Sequence, residues 1–254
     1  WLFWLLIGLG LMNFLFVFAV IYFKATLVVQ NEEFARFLDG LRVTGTKDAY
    51  LEFMTAQAAI TTLLLAFAGS TLIGSDYRQG GMVFYLSRAI GKRHYIIGKL
   101  LSIAAVVGVI TTVPTLILYV EYGLLSNSFA YFTENWRILV GILGYGAVDA
   151  AVQSIILFAV AAWVPRTVPL VMTWLGLFVL LSVLAHMLEE IRDNRRWLLL
   201  ALWEDMHRIG QWCFGVLPEN RTPAAWECAV VLGGVCVVGL LLIVRRVRAV
   251  EVVA

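Results

Sequence analysis

Long, nearly unbroken apolar stretches alternate with short polar segments along this chain. A helix needs about 20 mostly apolar residues to cross a hydrocarbon layer. Six stretches meet that length: 1–23, 54–75, 96–120, 138–164, 167–188 and 223–244. In lipid every backbone polar group must be paired within the protein, which leaves helices and closed barrels. Barrel strands alternate apolar and polar positions and are about half as long, so these continuous runs predict helices. The expected fold is all-α, with six transmembrane helices in a single domain, 1–254. No internal repeat or low-complexity linker divides it. The run 1–23 has no basic leader, and no small-residue cleavage site follows it, so it reads as a span and not as a signal peptide.

Local signals refine the helices. Thr222 and Pro223 form an expected start for the sixth span, with Thr222 as cap and Pro223 at the first helical position. Pro114, after Thr111 and Thr112, predicts a kink in the third span. Between spans, residues 31–42 place Phe34, Phe37, Leu38 and Leu41 at helical spacing. The long segment 189–217 mixes apolar and charged residues and carries Trp197, Trp203 and Trp212. Its run 197–203 is too short to span. It suits an interfacial or re-entrant segment with indoles at headgroup depth.

Composition supports a membrane protein. The 254 residues are 61% hydrophobic and 14% charged, against about 25% charged in soluble domains. A net charge of +2 gives no reason to expect nucleic acid as a partner. Three cysteines, Cys213, Cys228 and Cys236, are too few for a disulfide scaffold. Cys213 and Cys228 both fall on the outward side, so a bond between them stays open. Six spans put both termini on one side, together with the segment 76–99 and the turn around Arg166. That side gathers Arg78, Arg88, Lys92, Arg93, Lys99, Arg166, Arg245, Arg246 and Arg248 close to span ends. Basic residues dense beside spans mark the cytoplasmic face. The expected location is a multi-pass protein of a bacterial inner (plasma) membrane with both termini cytoplasmic.

Polar residues inside spans are the first chemical candidates. Asp149 lies midway along the fourth span, and Gln153 follows one turn later on the same face. An acid at that depth costs about 2.5–3.5 kcal/mol on insertion scales. It either lines a pathway or bonds helices together. Asn13, in the first span, could bond across helices in the same way. The cluster His186, Glu189, Glu190, Asp193, Glu204, Asp205 and His207 lacks a metal-binding spacing, and Arg192, Arg195 and Arg196 offset its acids. It reads as a solvated, salt-bridged face. No G-x-x-x-x-G-K-[ST] loop is present: Leu86 stands where its first glycine belongs, and Arg93 follows Gly91-Lys92. The chain cannot hold ATP in that manner.

The most informative segment joins the second and third spans, IGSDYRQGGMVFYLSRAIGKRHYIIGKL. It reads as a short amphipathic helix lying along the membrane, with an apolar face and a basic rim. It resembles the coupling-helix region of the six-span permeases of type-2 ABC exporters. The matching positions are Asp76, Arg78, Gly80, Leu86, Ser87, Arg88, Arg93, Tyr95, Gly98 and Lys99. It departs at Gly81, where threonine is usual, and at Ala89, where proline is usual. The motif covers about a tenth of the chain, and the six-span layout, the long outward, partly helical segment before the last span and the basic tail extend the likeness. The resemblance implies a cytoplasmic ABC ATPase subunit as partner, a second permease subunit, identical or homologous, and surrounding membrane lipid. It implies that ATP and Mg are bound on the ATPase, with no cofactor on this chain. Two other readings compete: a non-transporting scaffold or mechanotransmission subunit of a larger ABC-type machine, and a secondary transporter. A six-span serine protease is disfavoured, because Gly69-Ser70 lacks the flanking pattern and His186 sits at a span end.

Overall fold

The computed structural model describes residues 2–27, 45–69, 73–74, 92–126, 130–216 and 222–251. The described residues are helical, with no strand among them. In chain order they form α1 (Leu2–Leu27), α2 (Lys47–Gly69), α3 (Lys92–Ile110), α4 (Thr112–Leu125), the short α5 (Ala130–Glu134) and α6 (Trp136–Trp163). Then come α7 (Thr167–Leu175), a π turn (Gly176–Leu180), α8 (Leu181–Arg192), a 3-10 turn (Arg195–Leu200), α9 (Leu202–Phe214) and α10 (Ala225–Glu251). Among the described residues, six helical stretches are long and apolar enough to cross a membrane: Phe3–Thr26, Lys47–Gly69, Lys92–Leu125, Trp136–Trp163, Thr167–Arg192 and Ala225–Val247. The protein is therefore a multi-pass helical membrane protein.

Burial divides the spans into two kinds. In α2 and α6, 61% of the apolar window is buried within the protein, against 22% in each of the other four spans. These two are the central posts. The largest cluster surrounds α6 through Ile156, Leu157 and Phe158, joined by Leu170 and Trp174 of α7 and by Ile103 and Val107 of α3. Toward the other end, Tyr50, Leu51 and Met54 of α2 meet Ile138, Ile142 and Tyr145 of α6 in a second cluster. Trp174 joins the two kinds of span. Its indole is fully buried, donates to the Thr62 carbonyl of α2 at 2.8 Å, and stacks on Phe178 at 4.6 Å.

Span boundaries depart from the sequence expectation where amphipathic ends extend the apolar runs. The second span starts at Lys47, seven residues before the expected 54, because Tyr50, Leu51 and Phe53 turn inward while Asp48 and Glu52 stay exposed. The third continues past 120 through Glu121 to Leu125. It breaks at Thr111, between α3 and α4, one turn ahead of Pro114. Proline removes a backbone donor and clashes with the preceding turn, where the chain is interrupted. Here Thr111 Oγ1 donates to the Val107 carbonyl at 2.9 Å, and Thr115 Oγ1 to that of Thr111 at 2.6 Å. The sixth span does not start at Pro223. It begins at Ala225, and the Glu227 carboxylate accepts from the Ala224 N–H at 2.9 Å, the return half of a capping box. Thr222 offers its carbonyl to Arg208 at 3.4 Å and lies outside the helix. The helix expected at 31–42 lies outside the described residues.

The segment before the last span is partly helical, as its pattern suggests. Its 3-10 turn is largely exposed, and α9 follows with Leu202, Met206, Ile209 and Phe214 buried against the bundle. Glu204 and Asp205 occupy the first turn of α9, where negative charge suits the helix dipole. Gly215 ends it in the left-handed region (φ 64°), which glycine enters at no steric cost. Lys47 donates to the Gly215 carbonyl at 2.7 Å and ties this end of α9 to the start of α2.

Candidate functional site

The two ends of the bundle differ in charge. At one end, Gly74, just past α2, lies so close to the 164–166 turn that an added Cβ would stand 2.7 Å from the Pro165 carbonyl. Arg246 of α10 donates to the Ala162 carbonyl at 3.2 Å, and its guanidinium lies 5.6 Å from the centre of the Trp163 ring. The ends of α2, α6 and α10 and the start of α7 therefore meet there. Their described cations include Arg166, Arg245 and Arg246, and the helix that opens the third span adds Lys92, Arg93 and Lys99. The opposite end is mixed. Arg195 pairs with Glu189 at 3.5 Å, Arg196 with Glu227 at 3.5 Å, and His186 approaches Glu204 at 3.8 Å. An aromatic knot closes it: the Tyr50 and Tyr131 hydroxyls lie 3.2 Å apart, and Tyr131 donates to the Gly45 carbonyl at 3.0 Å. Burial pushes the Tyr131 phenol up to about 12.

Of the residues the coupling motif proposes, Asp76, Arg78, Gly80, Leu86, Ser87 and Arg88 lie outside the described residues. Arg93, Tyr95 and Lys99 sit on the first turns of α3. Arg93 is exposed and Lys99 half-buried. Tyr95 turns into the core, edge-on to Phe158 of α6 with ring centres 6.2 Å apart. That places an anchoring contact between the start of the third span and a central post.

The intramembrane polar residues form a seam along α6. Gln153 donates to Asp149 Oδ1 at 2.6 Å, and both side chains are buried. The bond stays within one helix, so it does not tie two spans together. Asp149 Oδ2 and Gln153 Oε1 have no partner. One turn before Asp149, the buried Tyr145 faces Thr55 of α2. The Thr55 hydroxyl lies 3.2 Å from His207 Nδ1, and His207 Nε2 lies 3.2 Å from the Gln211 amide nitrogen. Polar groups thus run from the middle of α6 through α2 to α9. Burial lowers the His207 imidazole below its usual range, which keeps it neutral. Nearer the first span, Gln57 donates to the Gly10 carbonyl at 3.0 Å, while the Asn13 amide nitrogen is buried without a partner.

Asp205, on the first turn of α9, is another buried acid. Burial pushes its carboxyl up to about 7. It faces the Cys228 thiol of α10, but neither carboxylate oxygen reaches hydrogen-bond geometry. Cys213, Cys228 and Cys236 are all free thiols. Cys213 packs instead on Gly144 of α6, and burial raises its thiol. No three His, Cys, Asp or Glu side chains converge as metal ligands among the described residues.

A groove of about 620 Å³ runs between α2 and the fifth span. Ala59 and Thr62 form one wall, and Phe178, Ser182, His186 and Glu190 the other, with Trp203 at its edge. The π turn lies on the groove, a helix irregularity that often marks functional positions. The groove is apolar along its length and polar toward the mixed-charge end. No protein-family model, curated protein or solved structure matches this chain. Its own residues are therefore what point to a function. Sequence reading treats His186 and Glu190 as part of a solvated cluster. The signal for the groove was the spacing Ser182, His186, Glu190, which puts one polar group per turn on a single face.

Proposed function

We propose that this chain is the membrane-spanning permease subunit of an ATP-driven ABC exporter. A separate cytoplasmic ABC ATPase, holding ATP and Mg, would supply the energy. The segment 76–99 would receive the motion of that ATPase, with Asp76, Arg78, Gly80, Leu86, Ser87, Arg88, Arg93, Tyr95 and Lys99 as its contacts or anchors. The observation that carries this reading is the basic end of the bundle. The end of α2, the α6–α7 turn and the end of α10 pack together there, and the residues that carry the motif follow α2 directly in the chain. Tyr95, wedged on Phe158, gives a push on that segment a rigid route into α6. That post carries Asp149 and borders every other span in its cluster.

The groove between α2 and the fifth span is the proposed half of the translocation path, and a second permease subunit would supply the other half. Its apolar length and polar far end suit a substrate that is partly apolar. Site-specific crosslinking from residues 88 and 93 in purified membranes tests the assignment. The expected product is an adduct with a Walker-motif ATPase that also co-purifies with the full chain. Adducts only with lipid or with unrelated proteins would overturn it.

A further inference from the structure

The basic end of the bundle holds a guanidinium that is fixed in place but only partly used. Arg246, near the end of the sixth span, is half-buried. Its Nε donates to the Ala162 carbonyl of α6 at 3.2 Å, and the group lies 5.6 Å from the centre of the Trp163 ring. Among the described residues its two terminal nitrogens, Nη1 and Nη2, have no partner. Trp163 is itself half exposed, and its indole N–H donates to the Leu242 carbonyl of α10 at 3.4 Å. The ring therefore lies along α10 over the turn from Leu242 to Arg246. Val238, Leu242 and Arg246 recur at four-residue spacing and share one face of that helix. Val238 and Leu242 are exposed. The ends of α6 and α10 thus form a seam that is apolar along its length and cationic at its mouth.

More positive charge stands around it. Arg245 adjoins Arg246, Arg166 follows Trp163 by three residues, and both are exposed. The Arg166 side chain makes no bond at the start of α7. From 160 to 168 and from 237 to 247 the chain has no Asp or Glu. A half-buried cation without a counter-ion is costly. Charged groups within spans almost always pair, and here the ion pairs among the described residues lie at the other end of the bundle.

We propose that the α6–α10 seam is a binding site for one acidic phospholipid, its phosphate held by Arg246 with Arg166 and Arg245 around it, and an acyl chain laid along Val238 and Leu242 beside Trp163. A guanidinium held through Nε still offers two terminal N–H donors, the fork that grips two phosphate oxygens at once. Basic pockets between transmembrane helices take acidic headgroups in this way, and tryptophan favours headgroup depth. A zwitterionic lipid fits less well, because its ammonium would sit among arginines with no carboxylate in these segments. A free phosphate would leave the apolar length of the seam uncovered. The site is separate from the groove between α2 and the fifth span, and it stands whether or not the chain exports anything.

The test is native mass spectrometry of the full chain, incubated in detergent with equal amounts of phosphatidylglycerol and phosphatidylcholine carrying the same acyl chains. The expected result is retention of phosphatidylglycerol over phosphatidylcholine. Arg246→Gln should lower that retention roughly tenfold, as expected for losing a bidentate charge-assisted pair. Arg246→Lys keeps the charge without the fork and should fall between. Arg166→Gln changes an exposed side chain that makes no bond. It should lower retention severalfold, and it carries the test if the Arg246 variants fail to fold. Phosphatidylglycerol with a diazirine on its tail should label the segment 237–242. Equal retention of the two lipids, retention undiminished in the glutamine variants, or labelling away from α6 and α10 would overturn the proposal. Displacement of the lipid by millimolar inorganic phosphate would overturn it too, as the mark of a site for a free anion.

Discussion

Two regions of this bundle handle buried polarity in opposite ways. Along α6, Asp149 has the Gln153 amide at 2.6 Å, and Tyr145, Thr55 and His207 continue the polar line. On the flank between α1 and α4, Glu121 is covered but has no donor. The first region lies on the two central posts, where 61% of each apolar window is buried. The second lies on outer spans with 22%. The difference teaches where buried polarity is held by neighbours and where it is not. A carboxylate bound inside the core is fixed by its neighbours. The one on the flank is covered by apolar contacts and has no donor to fix it.

The comparison can be sharpened by substitution, with unfolding free energy measured by detergent titration in mixed micelles. The largest effect is expected in the core. Trp174→Ala removes a fully buried indole, its bond to Thr62 and its stack on Phe178. It should cost about 3–5 kcal/mol. A loss under about 1 kcal/mol would mean that α2 and the fifth span do not pack as described.

Asp205 comes next, and its effect depends on pH. Its carboxyl rises from 3.8 when unfolded to about 7 when folded. Across that window the folded state binds more protons than the unfolded one. Stability from this group is therefore full below about pH 4 and falls as pH climbs to about 7. The depressed His207 imidazole acts the other way, losing stability as pH falls through its usual range. The difference curve between wild type and Asp205→Asn isolates the acid. The asparagine variant should gain on wild type with rising pH, by an amount on the order of 4 kcal/mol by pH 8. A flat difference curve would show that Asp205 is solvated.

Gln153→Leu should cost about 1–3 kcal/mol by stripping Asp149 of its donor. Glu121→Leu should give the smallest change, within about 1 kcal/mol of wild type and on the stabilising side, because no bond is lost. If the order of these two reverses, Glu121 has a partner and Asp149 does not need one.

Much of the fold was legible in the sequence because lipid demands long apolar helices, and such runs stand out. The span ends were less legible. Lys47–Phe53 is amphipathic, so Asp48 and Glu52 hid an extra two turns of the second span. Glu121 likewise stopped the expected third span at 120, although the helix runs on to Leu125. Asp149 and Gln153 could be paired from their spacing of four. What spacing alone could not supply was partners between spans. The contact of Trp174 with Thr62, the turn of Tyr95 toward Phe158 and the groove beside α2 depend on which spans are neighbours. Nothing in one chain's hydropathy encodes that. The coupling motif remains a reading of residues, since most of it lies outside the described positions.

The most direct test of the central claim is ATPase activity in the reconstituted complex, with the full chain, its ATPase subunit and lipid in proteoliposomes. Reversing charge with Arg88→Glu and Arg93→Glu should leave the chain folded and inserted while the permease-dependent part of ATP hydrolysis falls by about tenfold or more, as expected for losing two charged contacts at a docking interface. Hydrolysis that keeps its dependence on the permease through both reversals would contradict the account.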